Sequence, residues 1–430
     1  MKLLYDPLDP QYHDAAEARA ERDRTFQICT DCRLCVKYCF SFKSLFQLVD
    51  EVHDDRVVEL TGAEHERIVD ECFQCKLCYT NCPYTPDQAQ DWVVDFPGLM
   101  TRSLIIRHDE GKVGVNAKLL ARTDLQGKVA TTFSPIVNKV TATGVLRGLM
   151  EKTTGISKER LLPSFAKVRF TKWMRNHLTK RAGKQGTRAT VALFPTCLVE
   201  YQNPDIGKAT VGVLEHNGIE CELPEGQICC GMPWLDAGDD KKFRHHAERN
   251  VAALLPSVRA GKDVVVPQPT CAFTIKTEYP SFLGTDDARL VAEHTFDAAE
   301  YLVGRHREQA IDTDFSGRTY ESILWQQACH YQAQHMGPKS MEMMRLTGAK
   351  VEMVNRCSAI DGTWGLRAEN VDMSKRIAQP LMDKVRSSNA ELVAGDCNLA
   401  NNAIYEETDI RPVHPMQVMA RAYGLDPDEE

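Results

Sequence analysis

Residues 29–39 read CTDCRLCVKYC and residues 72–83 read CFQCKLCYTNCP, so the spacing C-x-x-C-x-x-C-x-x-x-C occurs twice near the N-terminus. This is the thiolate spacing that holds [4Fe–4S] cubes in pairs. Three cysteines so spaced let one short loop wrap three corners of a cube, while the fourth points away and ligates the neighbouring cluster. The expected ligand sets are therefore crossed. Cys29, Cys32, Cys35 and Cys82 hold one cube, and Cys72, Cys75, Cys78 and Cys39 hold the other. Structural zinc is one alternative, but it needs four ligands per ion and usually shows two separated C-x-x-C pairs. Disulfides are another, and they require an oxidising compartment. The start, MKLLYDPLDPQYHDAAEARAERDR, has neither an apolar secretory segment nor a twin-arginine pair. Sixteen cysteines in such a chain read as metal ligands.

The rest of the composition bounds the setting. With 430 residues the chain is long enough for several domains, and 43% apolar residues supply ordinary cores. A net charge of −8 argues against a nucleic-acid partner. No stretch approaches the ~18 apolar residues of a membrane helix. The expected setting is cytoplasmic, with peripheral association with the cytoplasmic membrane as an option.

Residues 1–25 read as a solvated arm. Residues 26–110 form the two-cluster module, in which Leu45, Leu48, Val49, Val52, Ile68 and Val69 recur at helical spacing. That favours an α-helical ferredoxin-like module over a β-rich one. Phe40 stands where Pro83 follows the other run, a mild departure because Pro donates no ligand. Residues 111–188 contain no cysteine and read as a helical, basic linker. Between 160 and 188 there are nine Lys or Arg and no Asp or Glu. There Phe170, Trp173, Met174 and Leu178 share one helical face beside Lys172, Arg175 and Arg181. Such a helix can lie on an anionic membrane surface. The preferred reading packs its apolar face on the neighbouring domain, since one short stretch anchors weakly.

From residue 189 onward, short apolar strands alternate with helical segments, in two successive α/β units over 189–310 and 311–430. In the first, ATVALF ends at Cys197, GIECEL precedes Cys229-Cys230-Gly231, and DVVVP ends at Cys271. In the second, ILWQQAC ends at Cys329, KVEMV precedes Cys357, and ELVAG precedes Cys397. Open parallel sheets gather their sites at the C-terminal ends of their strands. Cys197, Cys229, Cys230 and Cys271 are thus expected to converge on a third iron–sulfur cluster or a zinc ion. Adjacent cysteines rarely form a disulfide, and Gly231 permits a sharp turn after the pair. Cys221, inside a strand, reads as a buried structural thiol. In the second unit Cys329, Cys357 and Cys397 form a thinner set. His330 is its nearest extra ligand by sequence, although a neutral histidine bonded to a backbone carbonyl is the preferred reading. No G-x-G-x-x-G fingerprint is present, so neither flavin nor NAD is expected on this chain. No catalytic set of Ser, His and Asp stands out.

These features resemble a known family, the iron–sulfur proteins related to the C subunit of anaerobic glycerol-3-phosphate dehydrogenase. Glycolate oxidase iron–sulfur subunits and heterodisulfide reductases are its relatives. The resemblance runs from about Phe26 to Tyr423 and includes CCGMPWLDAG (229–238), PTCAFTIKTEYP (269–280), ACHYQ (328–332) and GTWGLRAEN (362–370). ARTDLQGKVATTFSPIVNKV (121–140) is its most pointed match, although it lies outside any cysteine motif. The resemblance implies an electron-transfer subunit that takes electrons from an FAD-containing dehydrogenase subunit acting on glycerol-3-phosphate or a 2-hydroxyacid. It delivers them toward membrane quinone or another acceptor. The rival readings are a heterodisulfide reductase-like thiol/disulfide oxidoreductase and a redox subunit for a soluble non-haem iron protein. Gln268 replaces the first Cys of a closing C-x-x-C, and Ser358 and Ala400 replace two further cysteines of the family pattern. The second unit is therefore expected to be degenerate.

Overall fold

A computed structural model describes residues 3–88, 91–181, 189–360, 362 and 364–425. The helix Ala15–Cys32 opens at Asp14, whose side chain accepts from the Glu17 amide, and ends at Arg33 in the left-handed region. It delivers Cys29 and Cys32 on its last turn. The helices Phe40–Glu51, Gly62–Asp70 and Phe96–Asp109 pack against it around Phe26, Phe42, Leu45, Val49, Ile68 and Leu99. Among the described residues the cluster module is helical, as expected.

The solvated-arm reading of residues 1–25 is corrected. Tyr12 and Ala18 are buried, and Arg102 donates to the Tyr12 carbonyl at 2.7 Å. The first helix also runs straight through the boundary at residue 25. Its polar composition concealed a few well-placed apolar contacts.

Among the described residues seven strands form two parallel sheets: β1 (Ala189–Leu193), β2 (Ile219–Glu222), β3 (Asp263–Val266), β4 (Thr295–Asp297), β5 (Ser322–Gln326), β6 (Lys350–Val354) and β7 (Leu392–Gly395). Their orders are β2-β1-β3-β4 and β6-β5-β7. In each sheet the first strand of the group is flanked by the next two, so the winding repeats. The inner strands bury both faces, as Val264, Val265 and Val266 do, because crossover helices cover a parallel sheet on both sides, while the edge strand β6 exposes Met353. β4 was not legible as a strand, being three residues long.

The helix Phe170–Arg181 settles the reading of its own face. Phe170 and Met174 are buried in the core of the first sheet, with Trp173 and Leu178 packed against it. Full burial of such a side chain contributes about 1.5–3 kcal/mol. The Phe170 ring also fills the space beside Gly207, where a Cβ would lie 2.6 Å from it. That apolar face therefore packs on the neighbouring sheet. The end of the basic stretch, residues 182–188 with Lys184 and Arg188, lies outside the described residues.

Candidate functional site

In the first cysteine loop the Cys29 thiol feels Cys35, Cys82 and Cys32, in that order. In the second loop Cys78 feels Cys75, Cys35, Cys72 and Cys39, and Cys39 feels Cys72 and Cys75. The fourth cysteine of each run thus lies within electrostatic reach of the opposite loop's thiols. Burial is the first cause of raised thiol pKa values here, with like charges next, and Cys35 is pushed up to about 12. Positive iron bound to the thiolates removes that penalty, because a coordinating thiol is deprotonated outright. Backbone amides already face the sulfurs: Tyr84 N–H donates to Cys82 Sγ at 3.4 Å. Among the described residues no three His, Cys, Asp or Glu side chains converge tightly enough for a single metal ion. All-thiolate donor sets suit iron–sulfur clusters or zinc, and the doubled spacing is the one that holds paired cubes.

The first α/β unit brings its four cysteines together. Cys197 contacts Cys229, Cys229 contacts Cys230, and Cys230 contacts Cys271. The loop before them is firmly held. The Cys229 carbonyl accepts from His246 Nδ1 at 2.9 Å and from Asn250 Nδ2 at 3.1 Å. The Cys230 carbonyl accepts from the Tyr279 hydroxyl at 2.8 Å. Gly231 has φ of +92°, so the sharp turn after the pair is real. Thr196, directly before Cys197, has φ of +62°, a conformation costly for a β-branched residue. Cys221 sits apart, buried in β2.

The second unit departs from expectation. Cys329 contacts Cys357, and it also contacts Cys75 of the second cluster loop. Cys397 also lies within electrostatic reach of Cys271 of the first unit. Cys329, Cys357 and Cys397 therefore share their space with thiols of the first unit and of the second cluster loop. The topology aims both sheets' strand ends, and the second cluster loop, at one shared space. His330 is excluded as an available ligand. Its Nε2 donates to the Gln74 carbonyl at 3.1 Å and its Nδ1 accepts from the Thr270 hydroxyl at 3.0 Å. Burial, with Lys76 nearby, lowers its pKa to about 4, so the ring is neutral.

That shared space is a cavity of about 610 Å³. Cys75, Cys197, Cys230, Cys271, Cys329, Cys357 and Cys397 are on its wall. Its roof comes from the helices Val115–Leu120, Thr123–Thr132, Ser134–Ala142 and Gly144–Thr154. Here the stretch 121–140 finds its physical reason. Asp124 accepts from the Cys229 backbone N–H at 2.9 Å and from the Tyr201 hydroxyl at 3.3 Å. At Gly127 a Cβ would sit 2.3 Å from the Tyr201 ring, so only glycine permits this approach. Asp124 thus pins the roof to the Cys-Cys loop. No composition signal marks such a carboxylate, since it acts through one long-range hydrogen bond.

Residues 28–87 match the family of 4Fe-4S dicluster domains, and residues 191–276 match the cysteine-rich domain family. The chain is similar to the C subunit of anaerobic glycerol-3-phosphate dehydrogenase. With that protein of Escherichia coli (strain K12) it shares 29% identity over 325 residues, covering 74% of this chain and 79% of the relative. It also shares 26% identity over 246 residues with lactate utilization protein A of Bacillus subtilis (strain 168), covering 53% of this chain and 98% of that one. The chain is accordingly an iron–sulfur protein of the electron-transport kind, with a dicluster domain followed by a cysteine-rich domain. The cysteine-rich family match runs from within β1 to beyond β3 and ends before β4 and the second sheet. No helix among the described residues is long and apolar enough to cross a membrane.

Proposed function

We propose that this chain is the electron-transfer subunit of a dehydrogenase complex. It would take electrons from an FAD-containing partner that oxidises glycerol-3-phosphate or a 2-hydroxyacid, the substrate classes in its relatives' names, and deliver them toward membrane quinone. Cys29, Cys32, Cys35 and Cys82 would hold one [4Fe–4S] cluster, and Cys72, Cys75, Cys78 and Cys39 the other. Cys197, Cys229, Cys230 and Cys271 would hold a third cluster or zinc. Thiolate-bound clusters supply one-electron chemistry, with potentials set by burial and hydrogen bonds to sulfur. The chain's own residues space and orient these thiols and shield most of them from water. The observation that carries the reading is the contact between Cys75 and Cys329, which joins the cluster module to the strand ends of the α/β units. Residues 311–430, wound like 189–310, are read as a second, degenerate unit.

The test is anaerobic purification with iron and sulfide counting and EPR. About eight irons per chain are expected from the two cubes alone and about twelve with a third cluster. Markedly fewer than eight would overturn the ligand assignment.

A second observation favours a membrane-facing acceptor. Of the twenty large apolar residues exposed on the described surface, eleven lie between Leu119 and Val168, Ile136 at 65% and Leu149 at 60% among them. Residues 112–181 carry fifteen Lys or Arg and only three Asp or Glu, in a chain of net charge −8. Apolar exposure with positive charge suits an anionic lipid surface. The docking face would then be the roof helices rather than the buried face of Phe170–Arg181. Ile136→Glu combined with Leu149→Glu should abolish co-sedimentation with phosphatidylserine-containing vesicles. Reversing charge at Lys172 and Arg175 should only weaken it. Equal binding by the double variant and the natural protein would remove the membrane reading.

A further inference from the structure

A second cavity, of about 730 Å³, stands apart from the thiols, since no cysteine is among the described residues that line it. Its wall comes from the helix Gly144–Thr154, the segment 158–164 and the helix Asn398–Thr408. Two arginines of that wall are buried, and their charges are met differently. Arg160, 3% exposed, has a counterion in Glu406 Oε1 at 2.8 Å. It also donates to the Gly365 carbonyl at 2.8 Å and to the Ser374 hydroxyl. Arg147, 5% exposed, forms no ion pair among the described residues. Its Nη2 donates to the carbonyls of Ser157 and Arg160, the latter at 2.7 Å. That leaves the Nε and Nη1 hydrogens with only the Met150 sulfur, 3.5 Å from Nη1. Burial lowers the Arg147 pKa, and Glu151 and Glu406 oppose this only from a distance. A buried charge without a partner carries a desolvation cost that an incoming counterion offsets.

The other charges of the wall point the same way. Lys158 and Arg411 line the cavity from its exposed rim, and neither forms an ion pair among the described residues. Both carboxylates of the wall are already engaged. Glu406 is held by Arg160 and the Leu161 amide, and Glu159 faces Lys375 at 3.2 Å. Four cations against two anions leave the described wall at +2, in a chain of net charge −8. Asn402 adds a donor, its Nδ2 being buried without a partner among the described residues. Converging donors and unmatched positive charge call for an anion. A carboxylate has too few oxygens to meet three cations and an amide. A phosphate group has enough, and it pairs with a guanidinium through two parallel hydrogen bonds. A nucleobase would find no platform here, because Tyr405, the one aromatic residue of the described wall, lies under Arg411 at 4.1 Å.

We propose that this cavity binds a phosphate group, with Arg147 and Asn402 as its buried donors and Lys158 and Arg411 facing it from the rim. The site goes beyond the electron-transfer reading, which neither requires it nor supports it. Two carriers of the group fit, a free phosphate and the headgroup of an anionic lipid. A lipid would have a place for its chains. Leu161 lines the cavity, and Val145, Leu146 and Leu149 stand exposed on the helix that carries Arg147.

The experiment uses the full chain, purified anaerobically with its metal, and two probes, inorganic phosphate and a water-soluble short-chain phosphatidylglycerol. Binding is read by titration calorimetry and by the rise in unfolding temperature over chloride at matched ionic strength. Natural protein should bind at least one of the probes saturably, at a single site. Lys158→Gln combined with Arg411→Gln, both at exposed positions, should weaken that binding roughly tenfold or more, since hydrogen bonds between charged groups are the strong ones. Lys172→Gln combined with Arg175→Gln makes the same charge change elsewhere and should leave it unaltered. Arg147→Gln should abolish binding, and if that variant fails to fold, the exposed pair decides. Tighter binding of phosphatidylglycerol than of inorganic phosphate, together with competition between them, assigns the site to a lipid headgroup. Binding of inorganic phosphate alone assigns it to a free phosphate, and either result supports the site. Binding of neither probe would overturn it, as would equal weakening by the two double variants or an undiminished affinity in the Lys158 and Arg411 variant. The Ile136→Glu and Leu149→Glu variant should keep its phosphate affinity whether or not it leaves vesicles, so failure of this site and failure of the membrane reading are told apart.

Discussion

Arg33 and Lys76 hold the same place in the two cysteine loops, each between a Cys and a Leu, with φ of +56° and +62°. Their surroundings are opposite. The Arg33 side chain is 45% exposed and pairs with Asp50 on the open surface. Lys76 is 3% exposed, donates to Gln74 Oε1 at 2.9 Å and faces Glu278 at 3.6 Å, itself 3% exposed. Burial opposes the Lys76 charge, yet Glu278, Asp95, Cys72 and Asp236 together raise its pKa. The difference shows how one repeated loop serves two situations. The first loop, with Cys32 exposed, stands open to solvent. The second is clamped by an ion pair onto the first α/β unit, with Cys75 brought to the cavity wall.

The sharpest way to break this comparison is to remove one charge of the buried pair. Glu278→Gln leaves the Lys76 ammonium without its principal partner inside the protein. A loss of about 3–5 kcal/mol is expected, because an uncompensated buried charge costs more than the pair contributes. Lys76→Met combined with Glu278→Gln should recover a large part of it, since an apolar pair of similar volume is often neutral. Urea unfolding of the four proteins of that double-mutant cycle measures the coupling directly. Additive losses, or a Glu278→Gln cost below about 1 kcal/mol, would mean that the two loops do not differ as described.

Much of this organisation was legible in the chain itself, for reasons visible at particular residues. The cysteine runs fix covalent spacing, so their crossed grouping followed without tertiary information. Strand ends were marked because Cys197, Cys271, Cys329 and Cys397 each follow a short apolar run. Contacts made across long sequence distances were not legible. Glu278 is an ordinary acidic residue in sequence, as is Asp124, and only the packed fold sets them against Lys76 and Cys229. The joining of Cys329 to Cys75 was missed for the same reason, since the sequence suggested a separate site for each unit.

The smallest expected effect completes the contrast. Arg33→Met removes an ion pair exposed to water, where the Coulomb gain is offset by ordering two long side chains. The expected loss is about 0–1 kcal/mol, and it should shrink further in ~0.5 M salt, a concentration chosen only so that the screening length falls to roughly half its physiological value. The pH dependence has a definite sign. The hydrogen bond and charge of Arg33 hold the Asp50 carboxyl below the usual carboxylate range. A depressed pKa contributes stability that is present above the unfolded value near ~3.9 and is lost as pH falls through the folded one. Natural protein and Arg33→Met should therefore differ slightly at neutral pH and converge in acid. Glu278→Gln should remain far less stable at neutral pH whatever the salt, because ions do not screen a pair buried between two modules. If the Arg33 variant were instead as unstable as the Glu278 variant, the first loop would be a structural clamp as well.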